Sequence, residues 1–246
     1  MASYLITGAS RGLGLELARQ LASLPVSEVS KVFATARGGS PGLEELAEKS
    51  SGRVVVVKLD VTDERSIKQA AVEVEANLDG KGLDVLINNA GIMQYSPNGV
   101  NTMDNLTESF TSNVLGVHWV TRAFIPLLQK GTLKKVANIS TTVGSIALAR
   151  SWHLMPAPAY KITKAALNSL TVQYALDYEK EGFAFFALAP GWLRTDLGGE
   201  NADLSVEQGA KASLEKIFGA GTEQNGQFLK VLVKGWNQYD GINSPW

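Results

Sequence analysis

The sequence predicts a doubly wound α/β fold, in which one mostly parallel, seven-stranded sheet carries helices on both faces. The first observation is a regular alternation of short apolar runs and longer helical patterns from Ser3 to about Val231. Such alternation implies parallel strands joined by right-handed crossovers. The second and third observations are that no linker or internal repeat interrupts the pattern and that 246 residues fit one large domain. We therefore expect a single domain over residues 1–246.

Seven short apolar runs are the predicted strands. They are Tyr4–Thr7, Val32–Ala36, Arg53–Leu59, Val85–Asn88, Lys135–Ser140, Phe183–Ala189 and Gly226–Val231. The third run contains four consecutive valines, Val54–Val57. Because a half-exposed strand normally alternates apolar and polar residues, this run predicts a strand that is buried on both faces.

The predicted helices lie between these strands, where apolar residues recur with a helical period. They are Leu13–Leu24, Leu43–Lys49, a helix capped by Asp63 that runs through Asn77, two helices in sequence within Met103–Lys130, Pro158–Glu179 and Ser205–Phe218. In such a fold, ligands bind beyond the carboxyl ends of the strands. A functional site is therefore expected among the residues that follow each strand.

The composition excludes several classes of function. Lys and Arg total 23 against 24 Asp and Glu, and the net charge of −1 predicts no nucleic-acid or anionic-membrane partner. The absence of cysteine excludes disulfides and thiol chemistry, and only two histidines predict no metal site. We find no secretory pattern and no run of about 18 apolar residues, so we expect a cytoplasmic protein without a membrane segment.

A glycine-rich loop, Thr7–Gly14, follows the first predicted strand and opens the first predicted helix. Glycines allow a tight turn and let the main chain approach a pyrophosphate closely. The helix N-terminus then offers unpaired N–H groups and the positive end of its dipole to the phosphates. This context predicts a dinucleotide site, and it accounts for part of the excess among the 24 glycines. A merely structural glycine turn is the alternative.

Two arginines favour a phosphorylated cofactor. Dinucleotide sites for NAD place an acidic residue after the second strand, whereas an arginine there accommodates the 2′-phosphate of NADP. No Asp or Glu lies between Lys31 and Gly42, while Arg37 follows the second strand and Arg11 lies in the glycine loop. Arginine matches the geometry of a phosphate group. The sequence therefore favours NADP(H) over NAD(H), with two solvated surface arginines as the alternative.

A tyrosine and a lysine, Tyr160 and Lys164, stand four residues apart in the predicted helix Pro158–Glu179. Residues at this spacing share one face of a helix. An ammonium group beside a phenol favours the phenolate, so Lys164 is expected to lower the pKa of Tyr160 from about 10 toward neutral pH. Tyr160 would then serve as a general acid or base. An ordinary exposed helix pair is the alternative.

Small and polar residues follow the remaining strands in a recognisable order. They are Asp60, Val61, Asn88–Gly91, Ser140, Thr141 and Pro190–Thr195. Together with the glycine loop, Asn113 and Tyr160–Lys164, they resemble the classical short-chain dehydrogenase/reductase (SDR) family, and within it the sniffer-like carbonyl reductases and the fungal ketoreductases of the norsolorinic-acid type. The resemblance implies a Rossmann fold that transfers a hydride between NADP(H) and a ketone, aldehyde or quinone, with aromatic polyketide ketones among the candidates.

The resemblance also implies roles for individual residues. The expected cofactor-binding residues are Gly8, Ser10, Arg11, Gly12, Leu13, Gly14, Arg37, Asp60, Val61, Asn88, Ala90, Gly91, Tyr160, Lys164, Pro190, Gly191, Leu193 and Thr195. The expected catalytic residues are Asn113, Thr141, Tyr160 and Lys164. Tyr160 would deliver the proton, Lys164 would hold the nicotinamide ribose, and Asn113 would hold a water in a proton relay to Lys164.

The chain departs from the family pattern at the catalytic hydroxyl. The family's serine precedes a glycine by three residues, and counting back from Gly144 gives Thr141, with Ser140 one residue earlier. Threonine still has a hydroxyl to polarise a carbonyl, so we favour Thr141 and keep Ser140 open. On a strand the two side chains would face opposite sides, so only one of them should reach the substrate.

Three loops are expected on the substrate side, around residues 92–102, 145–158 and 192–205, the second being longer than is usual in the family. Their candidate pocket residues are Met93, Gln94, Tyr95, Trp152, His153, Leu154 and Trp192. For Trp152 and His153 the alternative is that they only brace the loop. These side chains favour a small-molecule carbonyl substrate that is apolar and partly aromatic. The stretch Lys230–Asn237 is either an added strand turn or an oligomer contact.

Two other functions stay open at this point. A catalytically silent NADP-binding regulator would keep the cofactor fold. Such a protein typically loses the tyrosine or the lysine, whereas this sequence has both Tyr160 and Lys164. An alcohol dehydrogenase working in the oxidative direction would use the same residues.

The two long helical stretches also carry apolar residues that would suit a homodimer, a homotetramer or the core. These residues are Val117, Val120, Leu170, Val172 and Leu176.

Overall fold

The computed structural model describes residues 1–246. Its strands are β1 (Ala2–Ile6), β2 (Val29–Ala36), β3 (Val54–Lys58), β4 (Val85–Asn88), β5 (Lys135–Ile139), β6 (Ala184–Ala189) and β7 (Phe228–Lys230). They form one sheet in the order β3-β2-β1-β4-β5-β6-β7, and every neighbouring pair is parallel. The predicted doubly wound α/β fold is confirmed. The strand order reverses between β1 and β4, which is the point where sheets of this type bind ligands.

Helices cover both faces of the sheet and create two separate cores. The helices are α1 (Gly12–Ser23), α2 (Pro41–Lys49), α3 (Glu64–Asn77), α4 (Leu106–Phe110), α5 (Gly116–Lys130), α6 (Pro158–Asp177) and α7 (Val206–Gly219). One core joins α1, α2 and α7 to the sheet, and the other joins α3, α5 and α6 to the opposite face. Because strand side chains alternate between faces, each buried strand contributes to both cores.

The prediction for the four valines of β3 was wrong. β3 lies at the edge of the sheet and pairs only with β2. Val54 and Val57 are buried, but Val56 is 36% exposed and Val55 is only partly buried. The sequence run is uniformly apolar, whereas the coverage of an edge strand by its neighbouring helices is partial. Apolar composition alone therefore did not distinguish a central strand from an edge strand.

The stretch predicted as two helices in sequence is continuous. A π-helical turn, Thr111–Leu115, joins α4 to α5 without a loop between them. Such turns insert one extra residue into a helix and often occur at functional sites.

The predicted cap of α3 is confirmed, since the carboxylate of Asp63 accepts a hydrogen bond from the N–H of Arg65 at 2.9 Å.

The chain returns to the sheet after β7. Leu232 forms an antiparallel bridge with Asp240, and the N–H of Val233 donates to the carbonyl of Tyr239 at 2.8 Å. The predicted added strand turn is therefore present, and the oligomer contact stays a prediction. We call residues 231–241 the return segment. It brings Tyr239 beneath the residues that follow β6, where its ring packs beside Gly191.

Candidate active site

A cavity of about 940 Å³ runs along the carboxyl ends of the strands. Every residue predicted to bind the cofactor lines it, except Asn88. Thr141 and Ser140 also line it, as do four of the predicted substrate residues, Met93, Tyr95, Trp152 and Trp192. The fold thus brings the two predicted sites together in one continuous cavity, although their residues are spread over most of the sequence.

The glycine loop is shaped by close packing against the residues after β4. Gly8 has a φ of +67°, and a Cβ atom there would lie 2.9 Å from the Cα of Ala90. A Cβ atom at Gly14 would lie 2.4 Å from the carbonyl oxygen of Gly8 and 2.5 Å from the amide nitrogen of Asn89. These glycines are therefore required by contacts within the protein, in addition to the expected approach of a dinucleotide.

Helix α1 begins at this loop and presents its N-terminus to the cavity. Gly12, its first residue, lines the cavity, and no side chain caps the first turn. No acidic residue lies in that turn. Since the first N–H groups of a helix carry partial positive charge, this end of α1 is suited to an anionic group such as a pyrophosphate.

Asn88 does not reach the cavity, and its predicted role beside the ribose was wrong. It is 2% exposed, and its side-chain amide donates to Thr121 Oγ1 at 3.1 Å and to Asn138 Oδ1 at 2.8 Å. The side chain therefore joins β4 to β5 and α5. Asn89 was missed at the sequence level; it lines the cavity and donates to the carbonyls of Thr7 and Gly8.

Two cationic side chains, Arg11 and Arg37, border the cavity beside the glycine loop. Arg37 is exposed and makes no ion pair, whereas Arg11 lies 3.3 Å from the carboxylate of Asp196. Burial alone would raise the pKa of Asp60. The pKa nevertheless lies below its ordinary value because Thr62 donates hydrogen bonds from its N–H and its hydroxyl and because Arg37 adds positive charge. Arg37 is thus free to contact an anionic ligand.

Lys164 and Tyr160 lie together on α6, but not in the electrostatic relation that was expected. Lys164 is 4% exposed, and its ammonium donates to the carbonyl of Ile139 at 2.7 Å and lies 5.7 Å from the centre of the Tyr160 ring. Burial lowers the pKa of Lys164 to about 8 and raises the pKa of Tyr160 above its ordinary value. The shift of the phenol pKa is therefore opposite to the expected one, because desolvation by burial is its cause.

The two candidate hydroxyls have different surroundings. Ser140 is 2% exposed, and its hydroxyl donates to Oδ1 of Asn168 at 2.6 Å. Thr141 is half-buried, and its Oγ1 accepts only a long bond of 3.4 Å from the N–H of Val143. The proton of Thr141 is therefore available to a ligand, whereas the proton of Ser140 is committed to Asn168.

Asn113 lies in the π-helical turn behind the cavity rather than on its wall. It is fully buried; its Oδ1 accepts from the N–H of Ile92 at 2.8 Å, and its Nδ2 donates to the carbonyl of Ile92 at 2.9 Å. Nδ2 also lies 3.1 Å from the hydroxyl of Thr163, which donates to the carbonyl of Tyr160 at 3.0 Å. Asn113 thus ties the loop after β4 to the start of α6.

The substrate end of the cavity is apolar and aromatic. Besides the four predicted residues, it is lined by Met155 and Pro156. His153 does not line the cavity; it is exposed, and its Nδ1 lies 2.9 Å from the carbonyl of Arg150, so the alternative that it only braces its own loop is the one observed. Leu154 is 83% exposed. Gln94 is also absent from the wall, because its amide donates to Glu108.

The sequence did not reveal that the return segment reaches the cavity. Gln238 and Tyr239 of this segment line the cavity, together with Lys230 at the end of β7 and Asp203 from the loop after β6. The only signal at the sequence level was the pair of turn-forming glycines Gly235 and Gly241, which both adopt positive φ angles.

No group of three or more His, Cys, Asp or Glu residues is placed to hold a metal ion. No helix has the length and apolar character needed to cross a membrane.

Comparison with known proteins gives one consistent family. A family model described as short chain dehydrogenase matches residues 3–204. The short-chain dehydrogenase/reductase AacuF of Aspergillus aculeatus is 40% identical over 202 residues, which cover 78% of this chain and 74% of that protein. The NADPH-bound carbonyl reductase from chicken fatty liver is 33% identical, with a TM-score of 0.87 and coverage of 100% of this chain and 99% of that one. The carbonyl reductase Sniffer of D. melanogaster is 28% identical, with a TM-score of 0.88 and coverage of 100% of both chains.

Proposed function

The chain belongs to the short-chain dehydrogenase family, and we propose that it is an NADPH-dependent carbonyl reductase acting on ketones, aldehydes or quinones. The observation that carries this proposal is the meeting of Thr141, Tyr160 and Lys164 in the same cavity as Arg11 and Arg37. The first three supply hydroxyl and amine chemistry. The two arginines provide for a phosphorylated dinucleotide.

The residues of the cavity fit NADPH. The unblocked N-terminus of α1 suits the pyrophosphate, and the unpaired guanidinium of Arg37 suits the 2′-phosphate. Lys164 and the main chain at Pro190 and Gly191 border the region between the glycine loop and the aromatic end, where the nicotinamide would lie. When bound, NADPH supplies a hydride to the carbonyl carbon of the substrate, and the protein contributes orientation and electrostatics.

The residues of this chain act on the carbonyl oxygen. The hydroxyl of Thr141 donates a hydrogen bond to that oxygen and polarises the C=O bond. Tyr160 transfers its phenolic proton to the oxygen as negative charge develops there, so that the product is an alcohol. Lys164, positively charged below its pKa of about 8, stabilises the tyrosinate that remains, and solvent returns the proton.

The raised pKa of Tyr160 fits the role of proton donor in carbonyl reduction. Burial raises this pKa, so the phenol is protonated at neutral pH. A protonated phenol is ready to act as the acid in carbonyl reduction, whereas the oxidative direction needs the phenolate as a base. The raised pKa therefore supports Tyr160 as the general acid of the proposed reduction.

The substrate end supports an apolar carbonyl compound with an aromatic ring. Tyr95, Trp152 and Trp192 border it and are partly exposed, so flat ring faces are available for stacking. Aromatic polyketide ketones, quinones and aromatic aldehydes share this chemistry. A panel of these compounds, together with aliphatic ketones of similar size, separates aromatic recognition from general hydrophobicity.

The test is NADPH oxidation over this panel, followed by absorbance, with wild type and Tyr160→Phe. Wild type should turn over at least one aromatic carbonyl compound. The variant should lose about a thousandfold in kcat, because general acid catalysis contributes at this scale, while its Kd for NADPH stays within about twofold. A fully active Tyr160→Phe protein would contradict the mechanism. NADPH binding without turnover of any compound would favour the silent regulator instead.

Oligomeric state and cellular location stay predictions. Of the apolar residues considered for an interface, Val117 and Val120 are buried within the core of the single chain, at 5% and 0% exposure. Leu176 is 63% exposed on α6 and is the one of these three that is free to contact a second copy. A homodimer or homotetramer would therefore use a narrower set of residues than the sequence pattern indicated.

A further inference from the structure

Three separate parts of the chain meet at the hydroxyl of Tyr239. This oxygen accepts a hydrogen bond from the N–H of Trp192 at 3.1 Å and donates one to Oδ2 of Asp203 at 2.5 Å. The tyrosine belongs to the return segment. Its two hydrogen-bond partners, Trp192 and Asp203, lie at the two ends of the loop that follows β6. Tyr239 is only 8% exposed, and both hydrogen bonds are partly buried.

The loop between these two partners is closed upon itself. Leu193 and Leu204 form a parallel bridge, and the N–H of Arg194 donates to the carbonyl of Leu204 at 2.9 Å. We call residues 192–204 the covering loop. Its far side contributes Thr195, Asp196, Leu197 and Gly198 to the cavity wall, and Asp196 pairs with Arg11 of the glycine loop. The covering loop therefore spans from Tyr239 to the glycine loop.

We propose that Tyr239 is a positioning residue whose hydroxyl holds the two ends of the covering loop together and so fixes this loop over the cavity. Tyr239 acts through Trp192 and Asp203 and touches none of the reacting groups named above. Its ring also sets the position of the main chain before the loop, since a Cβ atom at Gly191 would lie 3.3 Å from Cε1 of Tyr239. The ring and the hydroxyl thus have separable roles.

The hydroxyl is suited to a permanent hydrogen bond. Burial, together with the neighbouring Asp203, raises the pKa of Tyr239 to about 12. The phenol therefore keeps its proton and remains a donor to Asp203 throughout the physiological pH range. Gln238 also donates to the same carboxylate oxygen, but at 3.3 Å and from an exposed side chain. It does not contact Trp192, so it cannot replace the link that Tyr239 makes.

Amide hydrogen exchange tests the proposal without any turnover. In Tyr239→Phe, which keeps the ring, exchange within residues 192–204 should become about tenfold faster, as expected for the loss of a partly buried hydrogen bond. Exchange in β1 and β5 should stay unchanged. The matched control is Tyr178→Phe, whose ring packs on Tyr174 outside the cavity wall. Unchanged exchange in the covering loop, or an increase spread over the whole sheet, would overturn the proposal.

A second variant and a binding measurement complete the test. Asp203→Ala removes the acceptor and leaves Tyr239 intact, so it should accelerate the same peptides, and the double variant should add little to either single change. The Kd for NADPH should rise about tenfold in Tyr239→Phe, while kcat at saturating NADPH falls less than threefold. Only the measurements of Kd for NADPH and of kcat rest on the proposed function. Loss of kcat with normal exchange would contradict a positioning role, and faster exchange without any turnover in wild type would contradict only the proposed function.

Discussion

The cofactor half and the substrate half of the cavity are built in different ways. In the cofactor half, the glycine loop, Arg37, Asp60 and Ala90 each follow directly after a strand. Their positions are set by the sheet and by close packing of the main chain. In the substrate half, loops are held by hydrogen bonds between distant parts of the chain. Examples are the N–H of Ser96 with the carbonyl of Pro156 at 2.8 Å and the N–H of Trp192 with Tyr239 at 3.1 Å.

This difference shows which part of the site is free to change. A substitution in the glycine loop disturbs packing between β1 and β4, because the space for a side chain at Gly14 is already filled. A change in the loops around Trp152 or Trp192 leaves the sheet untouched, since neither side chain belongs to the two cores. The substrate half is therefore where one fold acquires different specificities.

After the loss expected of Tyr160→Phe, the largest expected effect concerns the two neighbouring hydroxyls, Ser140 and Thr141. Thr141→Ala should lower kcat by about a hundredfold, because it removes a donor aimed at developing negative charge. Ser140→Ala should lower kcat less than threefold, since its hydroxyl is committed to Asn168. Steady-state kinetics of both variants with the same carbonyl compound makes the comparison.

The control for these variants is Thr141→Ser, which keeps the hydroxyl and should keep most of the activity. If Ser140→Ala were the more damaging change, the assignment of the catalytic hydroxyl would have to move to Ser140. The local contrast between the two residues would then be wrong, even though the overall proposal would stand.

The second effect arises where the two halves meet, at Lys164. Its pKa is about 8 in the folded chain against 10.5 ordinarily. Between these pH values the unfolded chain holds a proton that the folded chain lacks, so stability rises with pH across this window, and the full cost of burying the charge, about 3 kcal/mol, is present below pH 8. Lys164→Met removes this cost but also loses the bond to Ile139, worth about 1 kcal/mol.

The variant should therefore be about 2 kcal/mol more stable than wild type at pH 7, and the gain should be lost by about pH 10. Urea unfolding of the cofactor-free protein at both pH values measures this. Lys211→Met, at an exposed position of α7, is the matched control and should not show the same pH-dependent gain. A Lys164→Met protein that is less stable than wild type at pH 7 would show that the ammonium is better accommodated than its burial indicates.

The smallest of these effects belongs to the cofactor half. Arg37→Ala should raise the Kd for NADPH about tenfold, the scale of one charge-assisted hydrogen bond at an exposed site. The Kd for NADH, which lacks the 2′-phosphate, should stay within about twofold. Fluorescence titration with both nucleotides gives the ratio. Equal weakening of the two ligands would mean that Arg37 supports the loop rather than reading the phosphate.

The sequence was most informative where function depends on residues adjacent to strands. The glycine loop, Asp60 and Ala90 were placed at the cavity from local patterns, because strand ends of a parallel sheet converge on one edge. Tyr160 was found from its helical spacing to Lys164. Neighbouring residues were harder to separate. Asn88 and Asn89 are adjacent amides, yet one faces a core and the other the cavity. Only the register of β4 against β5 decides between them.

Long-range contacts explain what the sequence could not provide. The role of Tyr239 depends on a turn that carries it back across the sheet edge, and no short motif encodes that contact. At His153 the sequence left two roles open, and the contact with the carbonyl of Arg150 decides for bracing the loop. The pKa of Tyr160 was misjudged for a related reason, since spacing on a helix reveals the neighbouring lysine but not the degree of desolvation.

The edge strand β3 has a consequence for the behaviour of the protein in concentrated solution. Its four valines form a short segment of high β-propensity, and one side of the strand has no partner within the chain. Such an edge can pair with the same edge of another molecule and start intermolecular aggregation. Arg53 and Lys58 flank the valines with positive charge, and we expect their repulsion to oppose the approach of a second such edge. Conditions that screen these charges therefore weaken the protection against self-association.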